Sequence, residues 1–210
     1  MTEFEKTAPE AGAPSMPEKA EKNIGFCLVP EFSSIALISA IEPLRLANRI
    51  LGKNAYSWTC YSEDGLSVTS SAGIEFPVKG KIAEMPVLST VFICSGMNIR
   101  SHCNQVQMAA LRKAASRGSA IGAICTATYI LAKAGMMKGY RGTIHWENTS
   151  GIREDFPELD ITTELFEIDR NRFTCAGGTA SLDMMLSLIS NDKNHELALA
   201  IAEQLIHHRI

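Results

Sequence analysis

The sequence lacks the features of a nucleic-acid-binding, secreted or membrane-spanning chain. Its 20 Lys and Arg residues are outnumbered by 23 Asp and Glu residues, which gives a formal net charge of −3 at pH 7. Phosphate binding needs a basic surface, so this charge argues against nucleic-acid binding by the segment alone. No apolar run long enough for a signal peptide or a transmembrane helix is present. We therefore expect a cytoplasmic protein without a membrane contact.

The six cysteines also lack the spacing of a disulfide framework or a zinc site. They are scattered along the chain, without a C-x-x-C pair or a paired histidine spacing, at Cys27, Cys60, Cys94, Cys103, Cys125 and Cys175. This distribution indicates reduced thiols, most of which are small apolar core residues. We expect neither a bound metal nor a cofactor.

The first 22 residues differ in composition from the rest of the chain. Charged residues and three prolines (9, 14 and 17) dominate this stretch. Such a segment buries too little apolar surface to offset the entropy lost on ordering. The sequence therefore predicts a disordered tail over residues 1–22 and one folded domain over residues 23–210.

Short apolar runs alternate with helical patterns after the tail. Strands are predicted at 24–29, 56–62, 90–94 and 120–124, with hairpins at 68–78 and 165–175. Helices are predicted at 34–50, 104–117, 126–134, 148–156, 179–189 and 194–208, and Pro43 predicts a kink or break near 39–43. This alternation indicates an α/β fold with an open, mostly parallel sheet and helices on both faces.

Cys125 is the main candidate for chemistry, because it lies where the strand at 120–124 turns into a helix. Ligands of open α/β sheets bind at the carboxyl ends of the strands, and a helix N-terminus favours a thiolate. His145 and Glu147 supply the imidazole and carboxylate that a cysteine nucleophile requires. A buried cysteine that only fills the turn is the alternative interpretation.

The stretch 123–147 resembles the ThiJ/PfpI branch of class I glutamine amidotransferase-like domains, in which a strained elbow cysteine is followed by a histidine at this spacing. Further stretches are similar to the sensor domain of AraC-type regulators that respond to arginine, glycine betaine or carnitine. They are FS and EPLRLAN within 32–48, GTIHWEN at 142–148, ELFEIDR at 164–170 and CAGGTASLDMM at 175–185.

This resemblance covers about residues 23–210 and carries several implications. It implies a flavodoxin-like α/β sandwich that binds a small metabolite and forms a homodimer. It also implies a C-terminal helix-turn-helix domain that is absent from this chain, so that the sequence is a piece of a longer regulator. Contact with DNA is expected only through that missing domain.

One departure from the catalytic relatives favours binding over catalysis. The resemblance implies a glutamate on the loop after the first strand, and the matching position is near Ala36, whereas Glu31 comes too early and Glu42 too late. Without that carboxylate the thiol loses an orienting group, so we expect a non-catalytic relative. The alternatives are a cysteine-dependent hydrolase or amidase, and a redox or carbonyl-stress protein that uses oxidised Cys125.

A non-catalytic relative is expected to keep a cavity at the position of the former active site. The two ends of this cavity are expected to differ chemically. Backbone N–H groups at the elbow and at Gly96 suit a carboxylate, while Phe32 and Trp146, with Glu147, suit a cation. Core packing is an equal alternative for Trp146. The predicted ligand-binding residues are Phe32, Ser33, Ser34, Gly96, Asn98, Cys125, Thr126, His145, Trp146 and Glu147.

The predicted ligand is a small zwitterionic amine such as glycine betaine, dimethylglycine, carnitine or arginine. Arginine requires bidentate carboxylate partners, whereas a methylated ammonium gains most from aromatic faces. Because Glu147 is the one candidate carboxylate, the sequence favours a quaternary or tertiary ammonium.

Overall fold

The computed structural model describes residues 21–207. Its strands are β1 (Lys22–Leu28), β2 (Tyr56–Ser62), β3 (Val68–Thr69), β4 (Glu75–Phe76), β5 (Gly80–Lys81), β6 (Thr90–Cys94), β7 (Ala120–Ile124), β8 (Arg141–Gly142), β9 (Asp160–Ile161), β10 (Phe166–Asp169) and β11 (Arg172–Cys175). Its helices are α1 (Ser34–Leu51), α2 (Ile99–His102), α3 (Gln105–Ser116), α4 (Thr128–Lys133), α5 (Thr149–Asp155), α6 (Ala180–Asp192) and α7 (His195–Gln204). Short 3-10 turns lie at Ile82–Glu84, Cys125–Ala127 and Trp146–Asn148.

The main sheet has seven strands in the order β10-β11-β7-β6-β1-β2-β5. All neighbouring strands in it pair in parallel except β10, which runs antiparallel to β11 at one edge. One apolar core lies between the sheet and α1, α6 and α7, and another lies between the sheet and α3 and α4. The predicted open, mostly parallel sheet with helices on both faces is confirmed.

The central strands are apolar because both of their faces are covered. In β1, Phe26 and Leu28 belong to the core beneath α1, while Cys27 and the following Val29 belong to the opposite core. Successive strand side chains point to opposite faces, so a doubly covered strand contains almost no polar residue. Because β1, β6 and β7 also run parallel to one another, their carboxyl ends lie together at one edge of the sheet.

Several predicted boundaries agree with the structure. The strands at 56–62, 90–94 and 120–124 match β2, β6 and β7 residue for residue, and β3–β4 and β10–β11 form the two predicted hairpins. The strand β1 begins at Lys22, one residue inside the predicted tail. The rest of that tail, apart from Glu21, lies outside the described residues, as do residues 208–210.

Other predicted boundaries were wrong. Of the kink or break expected near 39–43, the break does not occur, because α1 continues through Pro43. Pro43 is buried on the core side of α1 with Ala40 and Leu44, and this packing holds the helix despite the hydrogen bond that proline removes. The helix predicted from 126 begins only at Thr128, after the 3-10 turn at Cys125–Ala127. Within residues 21–207, no helix is both long enough and apolar enough to cross a lipid bilayer.

Phe92 lies at the centre of the core beneath α1. Its fully buried ring stacks on Phe26, with centroids 5.6 Å apart, and tilts against Phe173 at 6.2 Å. The neighbouring strand passes this ring at Gly122, where a β-carbon would lie only 2.1 Å from Cδ1 of Phe92. Only glycine leaves room for the ring at this position.

Replacing Gly122 with alanine tests this contact. Because the Phe92 ring is enclosed by other aromatic rings, the added methyl group has no space, and overpacking of this kind costs about 1–3 kcal/mol. The matched control is Gly80→Ala in β5, where no atom lies within 4 Å of the added carbon. Urea denaturation should show a lower free energy of unfolding for Gly122→Ala and little change for Gly80→Ala. Equal stabilities of the two variants would contradict this packing.

Candidate functional site

Cys125 occupies a strained elbow at the carboxyl end of β7. Its φ angle is +66°, in the left-handed region that a β-carbon disfavours. Gly177, with a φ of +90°, packs directly against it, and a β-carbon at Gly177 would lie 2.8 Å from the Cys125 Sγ. Gly177, the first glycine of the CAGGT stretch, is therefore required for the elbow to pack against the end of β11.

Burial makes Cys125 a poor nucleophile at neutral pH. Its side chain is 6% exposed, and burial raises the pKa of the thiol to about 11, although the Thr126 backbone N–H lowers it in part. The effect of burial on the pKa of Cys125 therefore outweighs the stabilisation of a thiolate that a helix N-terminus would provide. The helix dipole acts only weakly on Cys125, because residues 125–127 form a short 3-10 turn and α4 behind them contains only six residues.

His145 lies next to the elbow, but it forms no catalytic triad with Cys125 and Glu147. The His145 backbone N–H donates to the Cys125 carbonyl oxygen at 3.2 Å. Its ring Nδ1 lies 3.7 Å from Oε2 of Glu147, too far for a hydrogen bond. Nowhere in residues 21–207 does a hydrogen bond join the His145 ring to the thiol. The neighbouring Trp146 is 75% exposed, and this exposure excludes the alternative that Trp146 packs in the core.

The positions around the thiol at which the sequence analysis looked for a carboxylate are Ala36, Glu42 and Glu31. Ala36 is fully buried in α1, at the position matched to the catalytic glutamate. Glu42 accepts hydrogen bonds from Arg45, the shortest of 2.6 Å, on the outer surface of α1. In the described part of the chain neither Glu42 nor Glu31 is hydrogen-bonded to the elbow. Neither Glu31 nor Glu42 therefore orients a proton acceptor for the thiol.

Three loops are joined at the carboxyl edge of the sheet. The Thr126 hydroxyl donates to the Gly96 carbonyl oxygen and accepts from the Ser95 hydroxyl, each at 2.7 Å. Gly96 forms an isolated β-bridge with Phe32, and a β-carbon at Gly96 would lie 2.3 Å from the Glu31 carbonyl oxygen. The loops after β1, β6 and β7 are thereby held in contact, which brings the predicted residues Gly96 and Thr126 together with the elbow.

The expected role of Phe32 in binding a cation is wrong. Its ring is fully buried and packs edge-on against Phe76, with centroids 5.1 Å apart, so neither face is open to a ligand. Ser33 is the N-cap residue of α1, but its side chain makes no capping hydrogen bond. Ser33 and Ser34 are both half-buried at the start of this helix.

A cavity of about 680 Å³ opens where β1 and β2 end. It is lined by Leu28, Pro30, Glu31, Ser62, Glu63, Asp64, Ser67, Val68, Thr69, Ser70, Ser71, Gly73 and Met97. None of the ten predicted ligand-binding residues is in this lining, and the elbow does not reach it. Glu31 and Met97 are direct sequence neighbours of the predicted residues Phe32, Gly96 and Asn98. The lining contains three carboxylates and a row of hydroxyl groups, without a Lys or Arg side chain. This composition favours a cationic group.

Glu31 is the functional candidate that the sequence analysis missed. It has a φ of +61°, and its Oε2 accepts from Asn98 Nδ2 at 2.8 Å and lies 3.2 Å from His102 Nε2. The hydrogen bond from Asn98, followed by that from His102, lowers the pKa of Glu31. The cavity wall therefore carries an ionised carboxylate at neutral pH. The predicted residue Asn98 acts here by holding Glu31.

Comparison with known proteins identifies a family and relatives of this chain. The sequence profile of the DJ-1/PfpI family matches residues 22–191. The HTH-type transcriptional regulator GbdR of Pseudomonas aeruginosa is 40% identical over 200 residues, which are 94% of this chain and 54% of GbdR. The chain thus spans about half the length of this regulator.

A solved structure and an enzyme extend the comparison. The crystal structure of an AraC family transcriptional regulator from Pseudomonas putida superimposes with a TM-score of 0.80 at 27% identity, covering 88% of this chain and 99% of that one. Isonitrile hydratase of Pseudomonas putida is 26% identical over 168 residues, or 79% of this chain and 69% of the enzyme.

The matched range, residues 22–191, contains the residues of the elbow, of the three joined loops and Gly177. Similarity to regulators of the AraC kind, inferred above from short motifs, is confirmed by relatives that match along most of the described chain. The chain belongs to the DJ-1/PfpI family.

Proposed function

We propose that this chain is the metabolite-sensing domain of a transcription regulator and that its ligand is a small zwitterionic amine. The observation that carries the proposal is the cavity beside Glu31, whose lining holds carboxylates and hydroxyl groups but no basic side chain. Such a wall attracts a cation. The hydroxyl groups of Ser67, Thr69 and Ser71 supply donors for the carboxylate of the same ligand.

The proposed class includes glycine betaine, dimethylglycine, carnitine and arginine. The preference for a methylated ammonium rested on Phe32 and Trp146, but Phe32 is buried and Trp146 does not line the cavity. The charge of Glu31 and its neighbours, rather than an aromatic surface, supports the choice of a cation-bearing ligand.

The similarity to regulators supports the wider proposal. Since the chain spans 54% of the length of GbdR, the remainder of such a protein has room for a DNA-binding domain. We infer that a helix-turn-helix domain outside this sequence contacts DNA, that the protein acts in the cytoplasm, and that it works as a homodimer. Paired half-sites on DNA are read economically by a two-fold symmetric protein.

A cysteine-dependent enzyme, such as a hydrolase or amidase, is the second candidate, because one relative, isonitrile hydratase, is an enzyme. The state of Cys125 argues against it. Burial keeps the thiol protonated, and His145 is not hydrogen-bonded to it in the described residues. Redox chemistry at Cys125 also requires a thiolate that is accessible to the oxidant. The geometry therefore favours binding over both cysteine-dependent alternatives.

Alkylation kinetics separate these functions. With a pKa of about 11, only about one Cys125 thiol in a thousand is ionised at pH 8, against about one in four for an ordinary cysteine. Iodoacetamide should modify Cys125 at least about tenfold more slowly than N-acetylcysteine, with a rate that rises as the pH approaches 11. Peptide mass spectrometry measures the rate, and Cys125→Ser identifies the adduct. Rapid, selective modification at pH 7 would instead support the cysteine-dependent functions.

Calorimetry tests the role of the Glu31 carboxylate. At least one of the four named zwitterions should bind and raise the thermal midpoint. At a hundredfold excess over its dissociation constant, the ligand adds about 2.7 kcal/mol to the free energy of unfolding. Glu31→Gln should weaken that binding at least about tenfold, or about 1.4 kcal/mol. Glu154→Gln on α5 removes the same charge outside the cavity and should leave the affinity unchanged. The proposal fails if none of the four binds, or if both variants bind equally well.

Sedimentation velocity tests the homodimer. The outer face of α1 exposes Ile35 and Ile38, which are one helical turn apart and 58% and 43% exposed. Apolar side chains adjacent on one surface are typical of a protein contact. The chain should sediment as a dimer at tens of micromolar, and Ile35→Asp should shift it toward monomer. A monomeric wild-type chain would refute the dimer proposal.

A further inference from the structure

A second cavity, of about 190 Å³, lies at the opposite end of the sheet from the elbow. Lys22, Tyr56, Thr90 and Ala120 line it at the first residues of β1, β2, β6 and β7. Because these strands are parallel, their first residues and the elbow lie at opposite edges of the sheet. This cavity is therefore separate from the proposed metabolite site.

Apolar side chains form most of the wall of this cavity. They come from the sheet and from the helices that cover it: Ile24, Leu44, Phe92, Phe173, Met185, Leu188 and Ile189. An apolar chamber with a few converging polar groups is the usual construction of a small-molecule site. The wall therefore suits the hydrocarbon part of a ligand.

A charged group stands at one side of the chamber. The Asp192 side chain is only 7% exposed and contacts the ammonium groups of Lys22 at 2.7 Å and Lys193 at 3.3 Å. Its carboxylate also accepts a hydrogen bond from the Tyr56 hydroxyl at 2.7 Å. Burial alone would raise the pKa of Asp192, but the hydrogen bonds from Lys22 and Tyr56 lower it to about 2. Among the described residues, the ammonium groups of Lys22 and Lys193 thus both face the Asp192 carboxylate.

Lys22 is the member of this group that a ligand can reach. Its side chain is 43% exposed, whereas that of Lys193 is 14% exposed. An ammonium group has three donors, and the contact with Asp192 does not use all of them. Lys22 therefore offers a charged donor beside an apolar chamber, which suits a ligand with a carboxylate at one end.

We infer that this cavity is a second ligand site, which takes a small apolar carboxylic acid with its carboxylate at Lys22 and its hydrocarbon part against Phe92 and Phe173. Leu44 of α1 and Met185 of α6 both line the chamber, so a bound acid contacts the two helices at once. Since α6 also packs against α7, occupation of the site stabilises the whole helical layer on this face.

Binding of benzoate and of benzyl alcohol to the full chain tests the inference by ligand-observed NMR titration. The two probes share a ring but only benzoate carries a charge, so benzoate should bind at least tenfold more tightly. Lys22→Met keeps most of the aliphatic stem and should remove this difference while leaving the affinity for benzyl alcohol unchanged. Lys79→Met removes a positive charge outside this cavity and should leave both affinities unchanged.

A second variant keeps the test decisive if Lys22→Met disturbs the contact with Asp192. Ala120→Leu fills the chamber from the first residue of β7 and should abolish binding of both probes while the chain remains folded by circular dichroism. The inference is overturned if benzoate does not bind, if it binds no better than benzyl alcohol, or if Ala120→Leu binds it normally. Loss of benzoate binding in Glu31→Gln would also overturn it, by placing the probe in the other cavity.

Discussion

The contact between Gly177 and Cys125 supports the arrangement of the whole carboxyl edge. Here the end of β11 approaches the elbow so closely that a β-carbon at Gly177 would overlap the cysteine side chain. The close approach of Gly96 to the Glu31 carbonyl oxygen joins the loop after β6 to the loop after β1 in the same way. These two glycines allow backbone to pack on backbone, and the site residues are held by rigid loops as a result.

The same packing explains why the elbow has the shape of an active site without its reactivity. Enclosing Cys125 removes water from the thiol, and the uncharged form is favoured in such surroundings. A catalytic cysteine needs a neighbouring base to compensate, and Ala36, the residue nearest to the match that the sequence resemblance implies for the catalytic glutamate, is a fully buried alanine. The carboxylates at this edge instead line the neighbouring cavity, and among them is Glu31, whose charge Asn98 and His102 stabilise. The charge at this edge therefore suits the cationic group of the proposed ligand.

The two ends of the sheet differ in electrostatic character. At the carboxyl edge, carboxylates line an open cavity without basic neighbours in its wall. At the amino edge, Lys22 and Lys193 surround Asp192 beside an apolar chamber. Parallel strands separate these regions by the length of the sheet, so one domain can present two sites of opposite charge preference.

The sequence by itself determined the four central strands, the two hairpins and the elbow. Strands buried on both faces are continuous apolar runs, and turns require particular residues, so 56–62 and 120–124 could be located from local pattern. The glycine motif at 175–178 was likewise visible before its contact with Cys125 was known. Such features depend on a few neighbouring residues, which a sequence displays directly.

Only the tertiary structure decided which side chains face the ligand cavity. Phe32 is turned into the core against Phe76, and Glu31 meets His102 across 71 residues of sequence. The continuity of α1 through Pro43 likewise depends on helix packing that no local pattern shows. Burial, long-range pairing and the pKa of Cys125 are properties of surroundings assembled from distant segments, and only folding brings those segments together.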